Sequence, residues 1–326
     1  MRVLVVAEHD RGLLAPATLE AVTAARPLGT VHVATLGAAA DGLVAELAAY
    51  GAGTVHQVHH PLLVDYGPEA WGEAVAQLVS AIAPDAVLAT GTDRGNEVMA
   101  HVAAILDAAM VANCIEVLPD AADPQRTWHL VRVRWGGSLL ERCELDAAPT
   151  TPKLLTIAHH ATTAVEAPVA PQVTTSLFEP VLDAALGRSV VVDRVERAAG
   201  VTLATAPVVV GGGRGVGSPE GFAVLEELAA LLGGVVGCSR AVTNNGWRNH
   251  TDQVGQTGTR IAPDLYFACG ISGAIQHWVG AMASKKILAI NTDPDANMVT
   301  KADYAVIGDL HQVVPAIAAE IRRRRG

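Results

Sequence analysis

Short apolar, β-branched runs alternate with stretches of helical periodicity through the first part of the chain. The predicted strands are Val3–Ala7, Val31–Leu36, Val55–Val58 and Ala86–Thr90. The predicted helices are Ala17–Ala25, Leu43–Ala49, Ala70–Ile82 and Glu97–Ala108. Strand–helix alternation at this spacing is typical of right-handed βαβ units, so the pattern predicts a parallel sheet.

The pattern then changes. Two runs, Trp128–Trp135 and Leu139–Leu145, flank Gly136-Gly137 and predict a β-hairpin, and Leu154–Ile157 predicts one more strand. From Ala161 to about Ala206 periodicity is lost and proline and alanine are frequent, which indicates a connector between domains. We therefore predict an N-terminal α/β domain over residues 1–200, with the hairpin and the Pro/Ala-rich connector, and a second α/β domain over residues 201–326.

The second domain begins with a β-branched strand at Val208 that runs into a glycine-rich turn. The helix that follows has one apolar face, formed by Phe222, Leu225, Leu228, Ala229 and Leu232. Further strands are predicted at Val235–Cys238, Leu265–Cys269, Ile287–Ile290 and Tyr304–Ile307, and a helix from Gly273 towards Ala281. The predicted fold class is α/β, with two parallel-sheet domains of which the C-terminal one is Rossmann-like.

Composition narrows the classes of function. Half of the 326 residues are hydrophobic and only 4% are aromatic, which suits close packing of helices on parallel sheets. The net charge of −10 argues against a nucleic-acid-binding surface. The N-terminus turns acidic too early for a signal peptide, and no apolar segment is long enough to span a bilayer. With four scattered cysteines that we expect to be buried free thiols, these features predict a cytoplasmic protein.

The glycine-rich turn Gly211-Gly-Gly-Arg-Gly-Val-Gly is the first candidate binding site. It joins a strand to a helix start, so backbone N–H groups can face an anion with no Cβ in the way. Arg214 adds a fixed positive charge. A nucleotide or dinucleotide cofactor is the expected ligand, although glycines after a strand can also serve only to close a tight turn.

Polar residues cluster at or near the ends of the other predicted strands of this domain. The segments are Gly237–Ala241, Gln253–Gly258, Gly270–His277, Ala289–Asp293 and Ile307–Leu310. Open α/β sheets bind ligands at the carboxyl ends of their strands. One extended ligand crossing this edge is therefore predicted.

These segments, in this order, resemble the α subunit of the electron-transfer flavoproteins. The motifs that carry the resemblance are Gly-Gly-Arg-Gly, Ser-Arg-Ala, Val-Gly-Gln-Thr-Gly, Gly-Ile-Ser-Gly-Ala-Ile-Gln-His and Ala-Asp-Tyr, over about residues 208–315. The resemblance implies a subunit that binds FAD, pairs with a β subunit, and passes electrons from a donor dehydrogenase to a downstream acceptor. Such a protein is an electron carrier rather than a substrate-converting enzyme, and no catalytic acid or base is assigned.

The resemblance also implies which residues contact FAD. They are Arg214, Ser239, Arg240, Val254, Gly255, Gln256, Thr257, Ser272, Gly273, Ala274, Ile275, Gln276, His277, Asn291, Asp309 and Leu310. Ser272–His277 would run along the cofactor, with the pyrophosphate at the Ser272-Gly273 helix start. Arg240, Thr257 and His277 would lie around the flavin ring, where a guanidinium and a histidine donor favour the negative charge of the reduced ring. Asn291 and Asp309 would contact the adenosine portion.

Several alternatives remain open at the level of sequence. An electron-bifurcating flavoprotein would carry a second FAD in the partner subunit. A thiamine-diphosphate or NAD enzyme would need a base and a substrate pocket, and none is evident, whereas a non-redox protein would bind adenine nucleotide without a flavin. Thr292 and Asn297-Met298 depart from the family pattern, which leaves the potential and the partner open.

Two weaker signals lie in the first domain. A metal site is not expected at His56, His59 and His60 or at His159-His160, because strand spacing puts His56 and His59 on opposite faces. The loop Thr90-Gly-Thr-Asp-Arg-Gly95 could hold a small anion, but we interpret it as scaffold.

Overall fold

The computed structural model describes residues 1–137, 139–169, 172–192 and 201–325. The chain divides into two compact units, of which the first comprises Met1–Trp135 and Leu139–Val195 and the second contains Glu196–Gly326. The predicted domain boundary at residue 200 lies outside the described residues. None of the helices in the described ranges is both long enough and apolar enough to cross a bilayer.

The first unit contains a large, mostly parallel sheet. Its strands, with a small separate hairpin β2–β3, are β1 (Arg2–Val6), β2 (His9–Asp10), β3 (Leu13–Leu14), β4 (Thr30–Leu36), β5 (Thr54–Val58), β6 (Ala86–Gly91), β7 (Met110–Pro119), β8 (Thr127–Arg134), β9 (Leu139–Asp146), β10 (Lys153–Ala158) and β11 (Thr174–Phe178). The helices are α1 (Pro16–Ala25), α2 (Val44–Ala49), α3 (Pro68–Ile82) and α4 (Asp93–Ile105). The strand order is β11-β5-β4-β1-β6-β10-β7-β8-β9, and only the pairs β7–β8 and β8–β9 in this sheet are antiparallel.

The central strands of this sheet are covered on both faces. All six residues of β10 and all but the first of β1 are buried, as expected for parallel strands between two layers of helices. The residues of β1 alternate between two separate apolar clusters, with Val3 and Val5 in one and Leu4 and Val6 in the other. The predicted βαβ pattern and the hairpin are confirmed.

Four strands were not predicted from the sequence: the short strands β2 and β3, and the longer strands β7 and β11. Strand β11 (Thr174–Phe178) lies inside the segment interpreted as a connector between domains, where no strand was predicted. Four of its five residues are exposed and it pairs with β5 through its backbone, so it lacks the apolar run by which a buried strand is recognised. Strand β7 mixes polar and apolar residues, and its pairing register shifts next to Asn113, which has a positive φ of 61°.

The Thr90–Gly95 loop of the first unit holds a carboxylate that belongs to the chain itself. Glu8 follows the central strand β1, and its Oε2 accepts hydrogen bonds from the hydroxyls of Thr90 and Thr92. Thr92 also caps α4 by accepting the Gly95 N–H at 3.0 Å. At the point where the strand order reverses, an anion supplied by Glu8 therefore lies beside the loop and the helix start.

The second unit is a parallel sheet with helices. Its strands are β12 (Val208–Gly212), β13 (Val235–Cys238), β14 (Leu265–Cys269), β15 (Ile287–Asn291) and β16 (Tyr304–Ile307), in the order β13-β12-β14-β15-β16. Its helices are α5 (Ala223–Leu232), α6 (Arg240–Asn244), α7 (Ile275–Ala281), α8 (Asn297–Lys301) and α9 (Leu310–Arg325). The predicted α/β class with two mainly parallel sheets is confirmed. Helix α7 begins at Ile275 rather than at Gly273, because Gly273 has a positive φ of 79° and cannot start a right-handed helix there.

The two tryptophans of the hairpin region allow a test of the core of the first unit. Trp128 is fully buried, and its indole N–H donates to the Pro124 carbonyl at 2.8 Å, whereas Trp135 is 79% exposed. We expect Trp128→Ala to lower the free energy of unfolding by about 3–5 kcal/mol, because it leaves a large cavity. Trp135→Ala should change it by no more than about 0.5 kcal/mol. Urea unfolding followed by circular dichroism measures both, and equal effects would contradict the assigned core.

Candidate functional site

The order of strands in the second sheet creates a crevice at one edge. From β12 the chain passes to β13 on one side and then returns to β14 on the other side, so the order reverses at β12. Parallel sheets bind ligands outside the carboxyl ends of strands at such a point. The strands that end there finish at Gly212, Cys238 and Cys269, with Asn291 at the end of β15.

A cavity of about 670 Å³ lies at this edge. Most of the residues predicted to bind the cofactor line it together, although they come from separate segments of the sequence. They are Arg214, Ser239, Arg240, Val254, Gly255, Gln256, Thr257, Ser272, Gly273, Ala274, Gln276, His277 and Asn291. The convergence of these loops on one space is what a single extended ligand requires.

Three of the predicted residues do not line this cavity. Ile275 is 46% exposed at the start of α7. Asp309 precedes α9, where its carboxylate accepts the His311 N–H at 2.9 Å, and Leu310 packs in the apolar core of the unit. Asp309 and Leu310 are thus engaged in starting and anchoring a helix, and a role of all three in cofactor binding stays a prediction.

Close backbone packing brings the loops after β12 and β14 together. Gly213 donates its N–H to the Cys269 carbonyl at 2.9 Å. A Cβ on Gly213 would lie 2.1 Å from the Gly270 carbonyl oxygen, so no side chain fits there. Gly270 itself has a positive φ of 63°. These glycines therefore serve both to close the turn and to let the two loops that border the cavity touch.

The loop before α7 presents backbone donors without partners. None of the hydrogen bonds among the described residues uses the N–H groups of Ser272, Gly273 or Ala274. The Ser272 hydroxyl does not cap the helix, whose N-cap is Ala274. Ser272 is exposed at the cavity wall, so its hydroxyl and these N–H groups can serve an anionic ligand.

The fixed charges at the cavity are mainly positive. Arg214 and Arg240 both line it and both are exposed, and neither guanidinium forms an ion pair with a residue that the structure describes. Asp293 also lines it, and its carboxylate accepts the N–H of Asp295 at 2.9 Å. Guanidiniums and N–H groups that line one cavity and lack partners among the described residues favour a ligand with negative charge.

Gln253 is a cavity residue that the sequence analysis quoted but did not select. It is 3% exposed, and its side chain bonds to the hydroxyls of Thr243 and Thr257, each at 2.9 Å. It therefore fixes the position of Thr257 against helix α6. In the sequence, the only indication of this role was the position of Gln253 directly before the Val-Gly-Gln-Thr-Gly motif, since its burial is visible only in the structure.

The Thr257 loop and helix α7 also contact each other directly. Gln256 donates its N–H to the Gln276 carbonyl at 2.8 Å. A Cβ on Gly280 would lie 2.3 Å from the Gly255 Cα, so the helix backbone lies directly against the loop. Two walls of the cavity are thus joined.

His277 is buried in the cavity wall at 6% exposure. Its Nε2 lies 2.8 Å from the hydroxyl of Tyr266, a fully buried residue of β14. Its Nδ1 is buried and makes no hydrogen bond with any described residue. Burial lowers the pKa of His277 to about 4, against a smaller opposing effect of the Val254 backbone carbonyl, so the ring is neutral at physiological pH.

Asn291 lies in the cavity wall, and half of the hydrogen-bonding capacity of its side-chain amide is already in use. Its Nδ2 donates to the Ile271 carbonyl at 3.0 Å, and its Oδ1 accepts the Asp293 N–H at 3.1 Å. These bonds join the loops that follow β14 and β15. Its second N–H and the second lone pair of its Oδ1 remain for a ligand, and its predicted contact with the ligand stays a prediction.

The histidines of the first unit that are close in sequence contact different partners. His56 lies 3.0 Å from His32, His59 pairs with Asp41 at 2.9 Å, and His60 accepts the Leu62 N–H. Among the described residues, the group that could hold a metal ion is Glu20, His159 and His160, whose ligand atoms lie within 4.8 Å of one another. Both Glu20 oxygens contact His160, at its N–H and its Nδ1. The absence of a metal site stays a prediction.

Comparison with known proteins identifies the family. Residues 3–180 match the electron transfer flavoprotein domain, and residues 202–282 match the electron transfer flavoprotein FAD-binding domain. The chain is 32% identical to the electron transfer flavoprotein subunit alpha of Thermoanaerobacterium thermosaccharolyticum, over 98% of this chain and 97% of that protein. It is 34% identical to the subunit alpha of Bacillus subtilis, over 99% and 98% of the two chains.

The subunit alpha of Mycobacterium tuberculosis is 37% identical to this chain, over 99% of both proteins. The matched domains extend over both units, and the cavity lies in the unit whose match is the FAD-binding domain. The chain belongs to the electron transfer flavoprotein family as an α subunit, and its cofactor is FAD.

Proposed function

We propose that FAD lies in the cavity of the second unit and that this chain passes electrons between a donor dehydrogenase and a downstream acceptor. The observation that carries the proposal is the convergence of loops from four strand ends on one cavity, with two guanidiniums that lack ion pairs among the described residues. The residues present suit FAD, because they offer unpaired backbone donors, positive charge and a neutral histidine. FAD, when bound, supplies the redox chemistry, and the chain binds it and tunes it.

The pyrophosphate fits best at the loop before α7. Ser272, Gly273 and Ala274 have N–H groups without partners among the described residues, and the Ser272 hydroxyl is exposed. Arg214 lines the same cavity from the loop after β12. Together they would neutralise the negative charge of the two phosphates and hold their oxygens.

Arg240, Thr257 and His277 are the residues that we assign to the flavin ring. Arg240 carries a guanidinium, whose positive charge would stabilise negative charge that accumulates on the ring. Thr257, held by Gln253, offers a hydroxyl that can donate or accept. His277 offers a neutral imidazole that is itself buried in the cavity wall.

The partner proposed for this chain is an electron transfer flavoprotein β subunit, as the name subunit alpha of its relatives indicates. Donor and acceptor proteins would bind transiently, because an electron carrier must release each of them. A cytoplasmic location remains a prediction from the sequence.

The first test is the colour of the complex. We expect the chain, co-expressed with the β-type subunit encoded beside it, to purify as a heterodimer with the absorbance bands of oxidised flavin. These bands should bleach on stepwise reduction, and acid should release about one FAD for each α subunit.

The variant Gly213→Val tests whether FAD depends on this cavity. The valine side chain would collide with Gly270 and separate the two loops that border the cavity. This variant should lose FAD while the separate first unit keeps its unfolding transition. A colourless native complex, or one that holds only adenine nucleotide or NAD, would reject the proposed function. More than one FAD for each heterodimer would indicate the bifurcating alternative.

The second test concerns the charge at Arg240. Arg240→Ala should lower the reduction potential of the bound flavin by roughly 50 mV per electron, the equivalent of about 1 kcal/mol of lost charge stabilisation at a partly exposed site. Arg240→Lys should retain most of the potential, since it keeps the charge. Arg323→Ala, which removes an exposed arginine from α9, is the matched control for net charge. Redox titration measures all three, and an unchanged potential in Arg240→Ala would exclude the role assigned to this side chain.

A further inference from the structure

A buried tyrosine behind the cavity holds its histidine. Tyr266 lies on β14, and its hydroxyl is 2.8 Å from Nε2 of His277 on α7. The space for the phenol comes from the neighbouring strand β12, where a Cβ on Gly211 would lie 2.3 Å from the Tyr266 oxygen. Tyr266 is fully buried and is absent from the residues that line the cavity, so it acts on a ligand only through His277.

The direction of this hydrogen bond follows from burial. The Tyr266 hydroxyl has one hydrogen, and His277 Nε2 is its hydrogen-bond partner among the described residues. If Nε2 carried a hydrogen and donated it, the hydroxyl hydrogen of Tyr266 would be buried without an acceptor, which costs about 1–3 kcal/mol. Tyr266 therefore donates and Nε2 accepts.

The protonation states agree with this direction. Burial raises the pKa of Tyr266 well above its usual value, so the phenol keeps its hydrogen. Burial lowers the pKa of His277 to about 4, so the imidazole is neutral and has a single ring hydrogen. With Nε2 accepting, that hydrogen lies on Nδ1. Nδ1 makes no hydrogen bond of normal geometry with any described residue, and the Val254 carbonyl contributes only a weak interaction that raises the pKa of the ring.

We propose that Tyr266 is a positioning residue that fixes His277 as the neutral tautomer with its hydrogen on Nδ1, so that His277 serves a bound ligand as a hydrogen-bond donor. The identity of the acceptor, a carbonyl oxygen or ring nitrogen of the flavin, rests on the proposed function. The tautomer itself rests only on the contacts of Tyr266 and His277.

Burial keeps His277 uncharged, and a hydrogen bond donated to Nε2 favours the same neutral form. Protonation at Nε2 would force the Tyr266 hydroxyl to turn away from its acceptor within a closed space. The titratable groups that act on Tyr266 are Cys269, on the same strand, and Cys238, at the end of β13. Burial raises the pKa of each thiol to about 12, so neither adds charge at neutral pH. Positive charge at the cavity thus comes from Arg214 and Arg240, and His277 contributes an oriented dipole.

The experiment is nuclear magnetic resonance of the complete heterodimer labelled with ¹⁵N in histidine, at pH 7. The His277 signals are assigned by their loss in His277→Gln. In the native complex, we expect Nδ1 to be protonated and Nε2 to be unprotonated. Tyr266→Phe removes one oxygen and leaves the ring in place, and it should raise the population of the other tautomer about 2- to 10-fold, as expected for loss of one net hydrogen bond. It should also raise the pKa of His277, since the donor that favours the neutral ring is gone.

Tyr304→Phe is the matched control, because Tyr304 lies on β16 of the same unit and is 59% exposed. It should leave the His277 signals unchanged. A protonated Nε2 in the native complex, or the same tautomer ratio in Tyr266→Phe and the native complex, would overturn the proposal. The absorbance spectrum of the same samples reports FAD separately. A complex without flavin would reject the proposed function, while the nitrogen signals would still decide the role of Tyr266.

Discussion

Two backbone segments at the carboxyl edge of the second sheet meet so closely that no Cβ fits between them. The loop after β12 contacts the loop after β14 where Gly213 faces the Gly270 carbonyl. This contact sets the distance between the loops that carry Arg214 and Ser272. Both loops line the cavity. The positions of the polar groups, and the ligand that they suit, depend on this packing of glycine backbone.

The two units use the same kind of strand-end site in opposite ways. In the first unit the order of strands reverses at β1, and the Glu8 carboxylate bonds to Thr90 and Thr92 there. In the second unit the order reverses at β12, and the corresponding edge is lined by N–H groups and guanidiniums that have no partner in the described part of the chain. The negative side chain occupies the edge in the first unit, whereas the positive charge in the second unit suits an anionic ligand, consistent with the match of that unit to an FAD-binding domain.

Sequence patterns predicted those elements that are determined by the local order of apolar and polar residues. Buried parallel strands such as Leu265–Cys269 are continuous apolar runs, and their bounds agree with the structure. Strand β11 was missed because its stability comes from backbone pairing with β5 rather than from an apolar face. Tyr266 and Gln253 were missed for a related reason. In the sequence, Tyr266 cannot be distinguished from the other apolar residues of its strand. Its hydroxyl contacts His277 only in the folded chain.

The contact between Gly280 and Gly255 and the bond from Gln256 to Gln276 join the Thr257 loop to the His277 helix. The groups on both sides of the cavity are therefore held in place before any charge changes within it. Dipoles that are already aligned need little movement when an electron arrives or leaves. A small reorganisation energy is the consequence, and it would let an electron carrier exchange charge rapidly in both directions during a brief encounter.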